Sequence, residues 1–346
     1  MEQKNEFNFK KITRKQIIIW AGMVVAIILI HCLLLSGSCS TPETEVDIPP
    51  PENVTPPPPP PPPPVELPPQ PVKPATVEPW NYDRQQNLPQ ALEKRFKQGK
   101  GRSGILIDLN SRRVLWSKYP NRAVPVASLT KLMTALLVME QLDKDPNFKW
   151  STVLTAYPSA IKVPGRESVK IPVGGLMQAM LIASNNGAAV VLAEALANGD
   201  PVRFAARMNT RARELGMDST NFNSPNGLPQ GKKRVNSRAS AADICHICEL
   251  LMGYSKVIKI CSSPVAHVQY IGRVSATNRL INPKKGDVPV DGVFGFKTGY
   301  TKAAGFCLAF GVERGNRTVI GCVTGFQSSR ERDIFCRELI EWAYRR

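Results

Sequence analysis

The sequence predicts an α+β fold in which helices cover an antiparallel sheet. Short runs rich in Val, Ile and Phe, which are typical of strands, lie near both ends of residues 89–346. Between them, apolar residues recur three and four positions apart, which is typical of amphipathic helices. We therefore expect the first strands to pair with the last ones in one sheet, with the helices packed against it.

The N-terminal part of the chain is predicted to anchor it in the cell membrane. Residues 17–35 carry no charged side chain and are about long enough to cross a bilayer as a helix. The basic residues of segment 1–16 predict a cytoplasmic N-terminus, a single pass, and an extracytoplasmic location for everything that follows. A cleaved signal peptide ending near Ser36 and a lipid on Cys39 are the alternatives, and the length of the apolar run favours a retained anchor.

A proline-rich linker is predicted at 36–88, between this anchor and a folded domain at 89–346. It contains nine consecutive prolines at 56–64. Because proline fixes φ and donates no backbone hydrogen bond, this stretch is expected to extend as polyproline II. A spacer is the favoured interpretation, and a ligand for a proline-recognition domain is the alternative.

The elements of the folded domain follow from turn signals and periodicity. Residues 104–109 and 114–116 are predicted strands joined by a turn, and apolar residues at helical spacing predict a helix that follows Ser128. A later helix is expected to begin at Asp200-Pro201 and to stop at Gly216. Further helices are predicted at 175–183, 188–196, 241–252 and 329–344, and further strands at 294–298, 305–312 and 318–324.

The chain is strongly basic, with a formal net charge of +17 from 45 Lys and Arg against 28 Asp and Glu. Two basic runs, Lys232-Lys233-Arg234 and Lys284-Lys285, fall in predicted loops. Neither is interleaved with aromatic residues or accompanied by zinc-finger spacing, so no nucleic acid is expected as a partner. A basic extracytoplasmic surface suits an anionic polymer or a lipid surface, and solvated charge without a partner is the simpler alternative.

Six of the eight cysteines fall in the folded domain. Cys245 and Cys248 form a CxxC inside a predicted helix without a second pair at zinc-site spacing, so we expect them to be small buried residues. Cys307 and Cys322 would face each other across a hairpin if Arg314-Gly315 were its two-residue turn. Two packed thiols are favoured there over a strained disulfide.

The string Ser128-Leu129-Thr130-Lys131 places a hydroxyl and an amine one helical turn apart, at the predicted start of a helix. Unpaired N–H groups at such a start favour developing negative charge, and burial beside a second cation lowers the pKa of a lysine. Ser128 is therefore a candidate nucleophile and Lys131 its candidate base, with Lys297 as the second cation. A helix cap and a solvated lysine are the plainer interpretation.

Two further strings follow in the chain. Ser184-Asn185-Asn186 lies between two apolar helical segments, where polar groups need hydrogen-bond partners. Ser184 is a candidate proton relay, and Asn186 is a candidate partner of a substrate carbonyl or of Lys131. Lys297-Thr298-Gly299 ends a predicted strand, where a lysine and a hydroxyl suit a substrate carboxylate and a glycine permits close approach. Taken singly, these strings are also typical of an interhelical turn and of a strand end.

Other catalytic machinery is poorly represented. A Ser-His-Asp triad would have to use His246 or His267, since His31 lies in the predicted membrane segment. Neither has a catalytic motif around it, and no P-loop, H-E-x-x-H or G-x-S-x-G string occurs.

With these three strings in this order, the chain resembles the D-alanyl-D-alanine carboxypeptidases, low-molecular-mass penicillin-binding proteins of the serine peptidase type. The resemblance covers about residues 102–344. The segments that match familiar parts of that family are 126–134, 208–209, 214–217, 224–228, 277–280 and 295–305.

The resemblance implies the β-lactamase and penicillin-binding-protein fold, an antiparallel sheet flanked by an all-helical subdomain. It also implies removal of the terminal D-Ala from peptidoglycan stem pentapeptides, with acylation of the same serine by β-lactam antibiotics. By position, Ser128 would be the acylated nucleophile, Lys131 its base and Ser184 part of the proton network. Backbone N–H groups of Ser128 and Tyr300 would form the oxyanion hole, and no metal or organic cofactor is implied. The substrate-binding residues would be Asn186, Lys297, Thr298, Gly299 and Tyr300.

The chain departs from the family pattern at Asn185 and Gly187, which replace the usual small residue and the usual Asp around the S-x-N string. Segment 165–168 also follows the family only loosely. A β-lactamase is a second hypothesis, although 167–170 does not fit the E-x-x-x-N loop associated with deacylation in class A enzymes. A catalytically silent wall-binding module is a third, which the intact Ser128, Lys131 and Lys297 argue against.

Overall fold

The computed structural model describes residues 79–83, 85–156, 160, 168–284, 287 and 289–345. The predicted cytoplasmic segment, the predicted membrane segment and the proline run all lie outside the described residues, and so does most of 165–168. Within the described ranges, no helix has both the length and the apolar character needed to cross a membrane. The last residues of the predicted linker are described and contact the domain: Trp80 packs against the core, and Asn81 exchanges 2.8 Å backbone hydrogen bonds with Arg112 and Val114.

From Ser103 onward the described elements follow the predicted order of strands, helices, strands and a final helix, but an unpredicted helix, Gln90–Gln98, precedes them. The helices are α1 (Gln90–Gln98), α2 (Lys131–Lys144), α3 (Val173–Ile182), α4 (Asn186–Leu196), α5 (Pro201–Glu214), α6 (Ala241–Met252), α7 (Ser255–Cys261) and α8 (Ser329–Tyr344). The strands are β1 (Ser103–Asp108), β2 (Arg113–Lys118), β3 (Val124–Pro125), β4 (Val153–Ala156), β5 (Val169–Pro172), β6 (Arg238–Ala239), β7 (Val265–Val268), β8 (Gly272–Ser275), β9 (Val293–Thr301), β10 (Gly305–Arg314) and β11 (Arg317–Phe326).

One five-stranded antiparallel sheet, in the order β2-β1-β11-β10-β9, forms the centre of the domain. The predicted pairing of the first strands with the last is confirmed, since Ile105 of β1 lies opposite Cys322 of β11. The same register continues through Ala309 of β10 to Lys297 of β9. Residues from opposite ends of the domain are therefore aligned in one row across the sheet.

Side chains alternate along these strands between two cores, one on each face of the sheet. Ile105 and Ile107 of β1 face the larger core, which α2, α3, α4 and α6 complete, whereas Leu106 faces a second core under α1 and α8. Because burial of an aliphatic side chain stabilises by about 1.5–3 kcal/mol, a one-residue slip of register would be costly on both faces.

The region between β2 and β9 is mainly helical, but it also contains three two-stranded ribbons, β3-β6, β4-β5 and β7-β8. The all-helical subdomain that the family resemblance implies is therefore only approximate here. The predicted start of α5 is confirmed, because the side chain of Asp200 accepts hydrogen bonds from the N–H groups of Val202 and Arg203.

The predicted register of the β10–β11 hairpin is wrong. Arg314 pairs with Arg317, so the turn residues are Gly315 and Asn316, and Cys322 faces Ala309 rather than Cys307. The physical reason is that a tight hairpin turn favours positive φ at its first central residue, and Gly315 supplies it with a φ of +58°. The six cysteines of the described domain are buried free thiols, as expected of packed side chains.

Candidate active site

Ser128 lies in a short 3₁₀ turn, Ala127–Thr130, that leads directly into α2. The predicted helix is present, but its first residue is Lys131, so the serine stands one turn before the α-helix proper. The preceding residue, Ala127, adopts a φ of +48°, which is a strained conformation for a side chain with a Cβ. The turn thereby presents Ser128 to an open cleft of about 610 Å³ that Ser184, Thr298 and other predicted site residues also line.

The amine of Lys131 is completely buried and lies at the centre of a hydrogen-bond network. Its Nζ is 2.9 Å from Ser128 Oγ, 2.8 Å from Asn186 Oδ1 and 2.7 Å from the backbone carbonyl of Asn226. A neutral amine has two N–H groups and one lone pair. The amide and carbonyl oxygens can take the two N–H groups, which leaves the lone pair facing the hydroxyl of Ser128.

The electrostatics of the site favour this neutral form. Burial lowers the pKa of Lys131 well below its ordinary value, and the positive charge of Lys297 lowers it further. Burial also lowers the pKa of Lys297 to about 7, with the Arg332 guanidinium adding to the effect. Two buried lysines and a buried arginine therefore share one region in which the protonated form of each lysine is disfavoured.

The three residues of the string at 184–186 make different contacts, and only Ser184 lines the cleft. The side chain of Asn185 caps α4 by accepting a 2.9 Å hydrogen bond from Ala188 N, whereas Asn186 contacts Lys131. Ser184 lines the cleft with a φ of +59°, and its hydroxyl has no hydrogen-bond partner among the described residues. The structure thus brings Ser184 to the cleft but leaves its predicted part in proton transfer as a prediction.

The K-T-G string lies on β9 against the turn that carries the nucleophile. Lys297 is 2% exposed, and its Nζ donates a 2.9 Å hydrogen bond to the carbonyl of Thr298. A Cβ on Gly299 would lie 2.8 Å from the carbonyl oxygen of Val126, so the absence of a side chain lets this strand reach the serine turn. Tyr300 stands 57% exposed at the rim of the cleft.

Asn226 is a site residue to which the sequence reasoning gave no role. It belongs to segment 224–228, and its contribution to the lysine network is a backbone carbonyl, which no side-chain motif can reveal. Gly227 beside it has a φ of +79°, and a Cβ there would lie only 1.9 Å from the carbonyl oxygen of Ala127. This glycine therefore permits the backbone of 224–228 to pack against the residue before Ser128.

Arg332 is a second residue that sequence reasoning missed. It lies on α8, is 3% exposed and lines the cleft. Its Nε and Nη2 bond Asp333 at 2.8 and 2.6 Å, and Nη1 donates to the carbonyl of Cys307 at 3.1 Å. No string around it resembles a motif, and only the packing of the last helix on the sheet brings its charge near Lys297.

The alternative nucleophile partners are not in this cleft. His246 lies on α6 with its ring 6.1 Å from that of Trp80, and His267 lies on the β7-β8 ribbon. No histidine is among the described residues that line the cleft. In the described part of the chain, no group of three or more His, Cys, Asp or Glu side chains is arranged to hold a metal ion.

The hydroxyl of Ser128 contacts a buried lysine, and the surrounding fold is a sheet covered by helices. Together these features define a class of serine acyl-transfer proteins that work without histidine. A sequence profile of the D-alanyl-D-alanine carboxypeptidases matches residues 90–328, and the chain belongs to this family. It is 31% identical over 255 residues to the D-alanyl-D-alanine carboxypeptidase DacF of Bacillus subtilis, covering 70% of this chain and 62% of that protein. It is 28% identical over 223 residues to a D-alanyl-D-alanine endopeptidase of Escherichia coli, covering 63% of this chain and 68% of that protein.

The fold is shared with solved penicillin-binding proteins. Penicillin-binding protein D2 from Listeria monocytogenes, in its ampicillin-bound form, matches with a TM-score of 0.61 and 28% identity. The match covers 70% of this chain and 96% of that one. By contrast, the chain spans less than two thirds of the length of DacF.

Proposed function

We propose that this domain is a serine D-alanyl-D-alanine carboxypeptidase that removes the terminal D-Ala from peptidoglycan stem pentapeptides. The observation that carries the proposal is the 2.9 Å separation between Ser128 Oγ and the Nζ of Lys131, a lysine whose pKa is lowered by burial. Membership of the family supports the same substrate class.

In the proposed reaction, Lys131 accepts the hydroxyl proton as Ser128 Oγ attacks the carbonyl carbon between the two D-Ala residues. The oxyanion forms next to the N–H groups of Ser128 and Tyr300, which the family resemblance assigns to this role. Collapse breaks the C–N bond, and the amine of the departing D-Ala takes a proton through Lys131 or Ser184. Water then hydrolyses the ester on Ser128 and regenerates the hydroxyl.

The positive end of the cleft is suited to the carboxylate of the departing D-Ala. Thr298 and Arg332 line the cleft, Lys297 is buried next to Thr298 in β9, and Thr298 Oγ1 lies 2.5 Å from that of Thr277. A bound carboxylate would restore the charge of Lys297, whose pKa is about 7 without it. The same features would hold the carboxylate of a β-lactam while its ring acylates Ser128.

The direct test is labelling of the full chain with a fluorescent penicillin, followed by mass spectrometry to locate the modified residue. We expect the label on Ser128, and we expect Ser128→Ala to lose both labelling and D-Ala release from a pentapeptide. A label on another residue contradicts the mechanism. A Ser128→Ala protein that still releases D-Ala contradicts the assignment of the nucleophile.

Cleavage of peptide crosslinks is a second candidate activity, because one matched relative is a D-alanyl-D-alanine endopeptidase. Crosslinked dimers offered alongside pentapeptides would separate the two activities. The lifetime of the penicilloyl ester distinguishes a carboxypeptidase or an endopeptidase from a β-lactamase. Slow hydrolysis of this ester is expected of a peptidase.

We also propose that residues 17–35 anchor the chain in the cell membrane and that 36–88 spaces the domain at 89–346 from it. Support comes from the uncharged apolar run and from the nine prolines at 56–64. Membrane fractions washed with alkaline carbonate should retain the full chain and release a chain that starts at residue 36. Release of the full chain by the wash contradicts a retained anchor.

A further inference from the structure

A basic hairpin, residues 228–236, follows Asn226 of the active site in the chain and has no part in the proposed chemistry. Its tip carries Lys232, Lys233 and Arg234, all of which are exposed. None of them belongs to an ion pair among the described residues. The tip, 231–234, contains no apolar side chain.

The hairpin is held in a defined shape. Backbone hydrogen bonds of 2.9 and 2.8 Å join Gln230 to Val235, and two more of 2.8 Å join Asn221 to Arg238 at its base. Arg234 has a φ of +50°, a conformation that glycine or asparagine adopts with less strain. The hairpin thus presents three cations on an ordered backbone.

The surroundings of the hairpin contain few carboxylates to neutralise it. Residues 219–242, which include the hairpin, contain no Asp or Glu, and neither do residues 109–139. These two stretches are paired through β3 and β6, where Val124 lies opposite Ala239. Exposed Arg122 and Arg238 flank this pairing and extend the positive surface.

This surface lies close to the reacting groups. The backbone carbonyl of Asn226 is 2.7 Å from Lys131 Nζ, and the hairpin begins two residues later. Lys232 is six residues from Asn226, so the chain between them spans at most about 22 Å. Arg279 and Lys284 line the cleft itself and add to the positive charge, whereas Arg332 is paired with Asp333.

We propose that the basic hairpin is a second binding site for the polymeric wall substrate. The hairpin binds free carboxylates of neighbouring stem peptides while one stem occupies the cleft. The inference rests on the proposed function, because it requires a substrate that repeats along a strand. An anionic bilayer is the less favoured partner, since the tip itself, 231–234, has no apolar side chain, and the exposed apolar side chains of the hairpin are limited to Leu228 and Val235 beside it. Binding at two points raises the affinity for a strand without changing that for a single peptide.

The test compares two substrates and two charge-matched variants of the full chain in detergent. The first variant carries Lys232→Gln, Lys233→Gln and Arg234→Gln. The control carries Lys94→Gln, Lys97→Gln and Lys144→Gln, three exposed cations on α1 and at the end of α2. D-Ala release is measured from soluble uncrosslinked peptidoglycan strands and from a single pentapeptide, at low and at high salt.

For the hairpin variant, we expect kcat/KM on strands to fall about tenfold at low salt, through KM, and the difference to shrink at high salt because salt screens exposed charges. Hydrolysis of the pentapeptide and acylation by fluorescent penicillin should stay within twofold of the unaltered protein. The control should match the unaltered protein on both substrates. Equal losses in the two triple variants, or unchanged activity on strands, would overturn the proposal.

Two further measurements separate this inference from the proposed function and from binding to a bilayer. Cosedimentation of the Ser128→Ala protein with insoluble peptidoglycan measures binding without turnover, so the hairpin can be tested even if no D-Ala is released by the unaltered protein. Failure of D-Ala release with intact binding contradicts the proposed function and not the hairpin. If the hairpin variant loses binding only to vesicles containing phosphatidylglycerol, the partner is a bilayer and the inference is wrong.

Discussion

Substitution of Gly227 by alanine should impair the catalytic site far more than its modest change in size suggests. The added Cβ would lie 1.9 Å from the carbonyl oxygen of Ala127, whereas ordinary contact begins at 3.4 Å, so the two backbones must separate by 1.5 Å. Ala127 precedes the nucleophile, and the residue before Gly227 accepts the 2.7 Å hydrogen bond from Lys131. Separation of the two segments must therefore displace Ser128, break the hydrogen bond between Lys131 and the Asn226 carbonyl, or do both.

The expected magnitude has two parts. A φ of +79° costs a residue with a Cβ about 1–2 kcal/mol, which lowers the stability. A displacement near 1 Å in a catalytic group reduces rates about 100-fold. Gly216→Ala is the matched control, because its φ is +70° and nothing lies within 4 Å of the added Cβ. In both variants the strain of a Cβ at positive φ should lower the free energy of unfolding by a similar amount. Only Gly227→Ala should lose activity.

The assay is the second-order rate constant for acylation by a fluorescent penicillin, measured together with the Tm of each protein. We expect acylation of Gly227→Ala to be about 100-fold slower, and that of Gly216→Ala to be unchanged. Similar acylation rates for the two variants would refute the argument that this close approach positions Ser128 and Lys131.

Four further predictions follow from the same site. Asn186→Asp places a carboxylate 2.8 Å from the amine, which should raise the pKa of Lys131 and move the acid limb of the acylation profile to higher pH; an unshifted limb would count against Lys131 as the base. Arg332→Gln removes a charge that lowers the pKa of Lys297, so this pKa should rise above about 7 while KM for a pentapeptide increases more than kcat falls, as steady-state kinetics can measure. Because the native pKa values of both lysines lie below 10.5, the unfolded chain binds more protons, and the free energy of unfolding should rise with pH between about 7 and 8, below the range in which the buried thiols, whose pKa values are raised, act in the opposite direction; urea titrations can check this rise. The six described cysteines are buried, so a thiol reagent should modify them only after unfolding, and rapid reaction of any of them in the native protein would contradict the packing.

Sequence reasoning succeeded for the fold where local signals are strong. The final helix is found at the predicted bounds, Ser329–Tyr344, and β9, β10 and β11 extend the predicted strands by one to three residues at most ends. It failed for α1, α7 and the ribbons β3-β6, β4-β5 and β7-β8, whose segments are too short for periodicity to distinguish them from loops. The hairpin register was wrong because a two-residue shift keeps each side chain on its face, so alternation does not choose between the two turns.

The sequence by itself determines the order of the three motifs, the spacing of three residues between Ser128 and a lysine, and the membership of the family. Only the tertiary structure decided that Lys131 is buried between Asn186 and the Asn226 carbonyl, and that Arg332 lies near Lys297. Burial and electrostatic repulsion are sums over groups that the fold brings together from distant parts of the chain. A string of residues can identify a candidate base, but the packing around it determines whether that base is neutral.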